Sequence, residues 1–104
     1  MGAADKLRSF VGLALRSRHA ALGREACKRA ARRHELFALL LATDAGASAA
    51  RDCGATTGVP LLRCGLNKRE LGELVGRDEL AALGITDAQL AAGLARYVPP
   101  VAET

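Results

Sequence analysis

A chain of 104 residues, half of them hydrophobic, is long enough for one compact domain with a real core. With no Trp, one Tyr and two Phe, that core is aliphatic and alanine-rich, and the composition excludes a surface of aromatic platforms for stacking single-stranded nucleic acid. The formal charge of +4 is uneven: nine Lys and Arg lie between Lys6 and Arg33 against Glu25, with Asp5 just ahead, while the acids gather from Glu70 onward, so charge alone fits either an anionic partner at the N-terminal third or a basic domain with a solvated face.

The first predicted element is an amphipathic helix over residues 5 to about 16, with Leu7, Phe10, Val11 and Ala14 at helical spacing. Ala20–Leu22 reads as a minimal strand closed by Gly23. A second helix runs from Arg24 to about Arg33. Cys27, Ala30 and Ala31 form its apolar stripe, and Glu25, Lys28, Arg29 and Arg32 form the opposite one. Leu36–Asp44 is a continuous apolar run ending in polar residues, which predicts a buried central strand. Ser48–Cys53 reads as a short helix, broken by Gly54 and Gly58. Val59-Pro60 leads into a strand over Leu61–Cys64, where Pro removes no ladder bond.

Asn67 with Glu70 is close to a capping box and opens a helix over Lys68–Val75, stopped by Gly76. Glu79–Ile85 reads as a loop running into a further strand. Thr86 and Gln89 form a second capping box, opening a helix to about Tyr97 with Leu90, Leu94 and Tyr97 inward. Pro99-Pro100 end it. The alternation predicts an α/β fold, a three-layer α-β-α sandwich with a small mixed sheet of about four strands, in a single domain with its ordered core over about residues 5–98.

Three cysteines, Cys27, Cys53 and Cys64, are odd in number and lack C-x-x-C spacing, which argues against a disulfide framework and a zinc site. They are expected to be reduced core fillers in a cytoplasmic protein. Charges from Asp5 onward interrupt any early apolar run, so no signal peptide is expected. The longest apolar stretch, Leu36–Ala42, is far short of the roughly 20 residues that span a bilayer. There is no phosphate-loop, nucleophile-elbow or H-E-x-x-H motif, and His19 and His34 have no Cys at ligand spacing. No metal, cofactor or membrane partner is expected, and a binding role is expected rather than an enzymatic one. Asp44, after a strand, is expected to cap a turn or helix. Phe10, Phe37 and Tyr97 are all expected inside.

Four segments carry a resemblance. FVGLALRSRHAALGRE (Phe10–Glu25) is similar to a first helix turning into a glycine-led second helix. LLLATDAGAS (Leu39–Ser48) is similar to a strand followed by an alanine–acid step, GVPLLRCG (Gly58–Gly65) to a Val-Pro strand, and NKRELGELVG (Asn67–Gly76) to a Lys-x-Glu-Leu-Gly helix. In this order and spacing they resemble the kink-turn RNA-binding superfamily of ribosomal proteins, the L-seven-Ae and L-thirty-e group, and within it the short bacterial YlxQ-type members. The resemblance spans roughly Leu7 to Tyr97. It implies an α-β-α sandwich that grips a sharply bent RNA duplex with tandem sheared G·A pairs, and a ribosomal or other ribonucleoprotein setting.

The family pattern maps onto Gly23, Arg24, Glu25 and Lys28. Arg24 stands where the pattern leads with Asn or an acid, and Arg has no hydrogen-bond acceptor, so any base contact from that position differs from the family's. On this reading Gly23 lets the backbone approach a groove, the positive end of the second helix faces phosphate, and Lys28, Arg29 and Arg32 neutralise phosphates. Glu25 accepts from a guanine edge. The plainer alternative is an i,i+4 surface pair between Glu25 and Arg29. The loop Arg77–Ala82 is a second candidate: the resemblance implies that Leu80 and Ala81 pack against an extruded base, with Asp78 and Glu79 repelling nearby phosphate. The competing reading is a plain turn. From the same fold, the rival function is a protein-interaction adaptor.

Overall fold

In a computed structural model the described residues are 3–46 and 59–98, so the helix expected over Ser48–Cys53 lies outside them. Helix α1 (Ala3–Arg16) buries Leu7, Val11 and Ala14, which recur on one side of the helix. Strand β1 (Ala20–Leu22) leads through Gly23 into α2 (Arg24–Arg32). Strands β2 (Ala38–Leu41) and β3 (Leu61–Arg63) precede α3 (Lys68–Leu74), and β4 (Ala82–Ile85) precedes α4 (Ala88–Ala95).

The four strands form one mixed sheet in the order β1-β4-β2-β3. β4 is antiparallel to both neighbours, and β2 pairs in parallel with β3. Strand alternation sends Ala38, Leu40, Leu62, Leu83 and Ile85 to one face, where Leu7, Val11, Leu71, Ala91 and Leu94 of α1, α3 and α4 meet them. Leu39 and Ala82 point to the other face, where Cys27 and Ala30 of α2 cover them together with Leu36. Helices therefore lie on both faces of the sheet, and the fold is the α/β sandwich the sequence predicts.

Local differences have physical causes. β2 is shorter than the apolar run: Leu36 is buried ahead of the strand, and Thr43 and Asp44 already form a turn. The Asn67–Glu70 capping box forms reciprocally, with Glu70 N–H donating to Asn67 Oδ1 at 2.8 Å and Asn67 N–H to Glu70 Oε1 at 3.0 Å. The second box does not form. Asp87 caps α4, its Oδ1 accepting from Leu90 N–H at 2.9 Å, because Thr86 is still held at the sheet end, its N–H donating to His19 O at 2.8 Å. Phe37 and Tyr97 are each 41% exposed rather than inside. Phe37 precedes β2 at the sheet end, and Tyr97 follows the last turn of α4. The Tyr97 ring lies 6.0 Å from that of half-buried Phe10, with Lys6 Nζ 5.1 Å from its centre.

Helices α1 and α2 end in the same turn. His19 N–H donates to Ala14 O and Arg18 N–H to Leu15 O, and likewise Glu35 N–H to Ala30 O and His34 N–H to Ala31 O. The left-handed residue of each turn is Arg18 (φ 63°) or His34 (φ 59°), where glycine is the usual occupant.

Candidate nucleic-acid interface

Strands β1, β2 and β3 all end, and β4 begins, at one end of the sheet: Leu22 pairs with Leu83, and Leu41 pairs with both Ala82 and Arg63. Gly23, the Ala42–Gly46 turn, the Cys64–Asn67 segment and the α3–β4 loop converge there. Backbone bonds tie them together: Gly23 N–H to Ala82 O, Ala42 N–H to Ala81 O, and Thr43 N–H to Leu66 O, at 2.9, 2.9 and 2.8 Å. Asp44 serves as a cap, its Oδ1 accepting from Lys68 N–H at 2.8 Å at the start of α3.

Gly23 is the N-cap of α2 with φ 92°, a conformation that disfavours any side chain, and as glycine it offers the helix no side-chain cap. The first-turn N–H groups of α2 therefore point at this sheet end, an arrangement that attracts anions. Glu25 projects into solvent with its side chain 75% exposed; Lys28 Nζ lies 3.8 Å from Glu25 Oε1. Glu25 thus pairs with Lys28 rather than with Arg29. Arg24 is half-buried and Arg29 and Arg32 are exposed. Arg32 lies eight residues beyond Arg24, roughly 12 Å along the helix, so it belongs to the opposite end. The sheet end brings together Gly23, Arg24, Glu25, Lys28 and Ala81, and leaves Arg32 apart.

Leu80 departs from its expected role. It is 3% exposed and packs in the core beside α1, α3 and α4, because its N–H is tied to Lys68 O at 2.9 Å and the loop turns it inward. Half-buried Ala81 is the residue of that pair left near the surface.

Sequence reasoning includes Arg77 in the second candidate loop but gives it no role. Its Nη1 lies 4.0 Å from where a Gly23 side chain would begin, placing a guanidinium beside the start of α2. Gly72 makes this possible: a Cβ there would meet Arg77 O at 2.8 Å and the Glu79 backbone at 2.9 Å. The only trace in the sequence is the pair Gly72 and Gly76 flanking the end of a helix. Among the cysteines, Cys27 is buried and its Sγ reaches Ala21 O at 3.5 Å. Cys64 is only half-buried at the end of β3, donating to Leu41 O at 3.1 Å, and burial pushes its thiol pKa up. Cys53 is outside the described residues.

Among the described residues no three His, Cys, Asp or Glu side chains gather as metal ligands. No helix among them is long and apolar enough to cross a membrane. No protein-family model and no curated protein matches the chain. A solved structure of a protein of unknown function from Bacillus halodurans C is similar, with 29% identity and a TM-score of 0.74 over 86% of this chain and 93% of that one.

Proposed function

We propose that this chain binds structured RNA, a kink-turn-like element of ribosomal or other RNA, through the N-terminal end of α2. The observation that supports it best is the start of α2 at Gly23, an N-cap without a side chain, with exposed Glu25 paired to half-buried Lys28 beside it. Backbone N–H groups, Arg24, Lys28 and Arg77 supply attraction for phosphate, and Glu25 supplies an acceptor for a base edge. Sheared G·A pairs expose edges that a Watson–Crick duplex hides, so a short helix end can read them. The reading gives the protein a binding role without a cofactor, in the cytoplasm and in a ribonucleoprotein setting, as the kink-turn resemblance of the sequence implies.

The test compares binding to a kink-turn RNA and to a control in which Watson–Crick pairs replace the sheared pairs. Preference for the kink-turn is expected. Lys28→Ala should weaken both and lower the salt slope by about 1, and Glu25→Ala should reduce the preference by about 1–3 kcal/mol. Equal weak binding to both RNAs would overturn specific recognition.

A second reading, a protein-interaction adaptor, draws on an apolar groove of about 220 Å³ between α4 and the β3 edge, lined by Phe37, Pro60, Leu62, Ala88, Ala92 and Ala95 among others. No binding to either RNA, together with a stable protein partner lost in Phe37→Asp, would favour it.

A further inference from the structure

The basic surplus does not sit where α2 begins. There, Arg24, Lys28 and Arg77 share the surface with Glu25, Asp78 and Glu79. At the opposite end of the sheet, α1 finishes with Arg16 and turns through Arg18, while α2 finishes with Arg32 and is C-capped by Arg33. Both turns feed strands that flank β4: Ala20 and Ala38 each pair with Ile85, from its two sides. The two chain entries are therefore two strand spacings apart, roughly 10 Å. α1 covers one face of the sheet and α2 the other, so Arg18, Arg32 and Arg33 arrive at one sheet end from both sides, while the Arg16 guanidinium lies back along α1, its Nη1 3.3 Å from where a Gly12 side chain would begin, and must swing outward to join them.

Arg16, Arg18, Arg32 and Arg33 are all exposed, and none is ion-paired with another described residue. Two acids lie nearby. Glu35 is exposed; Asp87 is engaged, one oxygen taking Leu90 N–H and the other lying 3.8 Å from His19 Nε2.

We propose that this end is a second nucleic-acid surface, on which the four arginines grip the phosphate backbone of a duplex irrespective of its sequence. Guanidinium forks match phosphate oxygens in pairs, and four of them with little opposing carboxylate form a footprint for a polyanion. The negative ends of α1 and α2 also favour cations here. That structural role is separable, because it acts on folding stability and leaves the salt dependence of binding alone. With the first site at the other end of the same sheet, the protein can hold two RNA segments at once.

The experiment measures affinity of the full chain for a fully paired RNA duplex without sheared pairs, over a series of salt concentrations, with thermal unfolding of each variant alongside. The variants are Arg16→Gln with Arg18→Gln, Arg32→Gln with Arg33→Gln, and all four together. The control is Arg8→Gln with Arg96→Gln, two exposed arginines elsewhere. Each paired variant should lose about fivefold or more at low salt, and the control less than twofold. The fourfold variant should lower the salt slope by about 3 to 4, one counterion set for each phosphate contact. An equal loss in the control would show net charge alone and overturn the proposal. So would an unchanged slope, or capture by vesicles of anionic phospholipid without binding to the duplex. If the fourfold variant fails to fold, the two paired variants carry the same test. Kink-turn preference is read from a ratio between two RNAs and this surface from a plain duplex, so either reading can fail alone.

Discussion

A methyl group placed on Gly84 has little room. It would meet Leu36 Cδ1 at 2.5 Å, Cys27 Sγ at 3.2 Å and Ala21 Cβ at 3.3 Å. The Leu36 end can rotate away, but Cys27 and Ala21 are fixed by the contact between α2 and β1. Gly84→Ala should destabilise by about 1–3 kcal/mol, read as a lower urea midpoint at an unchanged slope; an unshifted midpoint would show that α2 packs loosely on the sheet. Cys64 makes a second prediction. Burial raises its folded pKa above the unfolded value, so the folded state keeps the proton longer. Stability should therefore fall as pH rises through the ordinary cysteine range. In a background carrying Cys27→Ala and Cys53→Ser, which leaves Cys64 as the one thiol, a thiol reagent should label the native chain more slowly than the denatured one. Equal rates would mean that the Cys64 thiol is accessible.

At the scale of elements, caps and loop contacts decide most. Asp87→Ala removes the cap of α4 and should cost about 1 kcal/mol, seen as a lower Tm, whereas Thr86→Ala should cost less. Gly72→Ala should push the Arg77–Glu79 backbone off α3 and move the guanidinium from Gly23, so RNA affinity should fall more than stability accounts for. If affinity and stability fall together, Arg77 has no separate role. These positions also show what the sequence discloses. α2 is legible almost residue for residue, since its stripe and glycine start are local, and so is the Asn67–Glu70 box. Thr86 misleads because whether it caps a helix or stays with the sheet depends on His19, distant in sequence. The Leu36–Asp44 run shows burial but not where the ladder ends. Leu80 and Arg77 lie in a loop with no periodicity, so their directions emerge only when that loop docks on α3. The Gly23–Lys28 half of the candidate site is readable for the same reason α2 is, while the Arg77 half is tertiary.

For the whole molecule, the sheet order has a consequence for how the chain comes together. Strand β4 lies at the centre, between β1 and β2, yet it is the last of the described strands in chain order. Without it, among the described strands, β1 has no ladder partner and β2 keeps its parallel partner β3 alone. Residue 20 must wait for residue 85. During synthesis the early strands leave the ribosome with their edges unpaired, and long-range closure of this kind slows folding. A chain released after Leu80 should show little cooperative unfolding, while one released after Val98 should melt in a single transition. Until β4 arrives, the nascent protein is a set of helices and exposed strands in need of shelter.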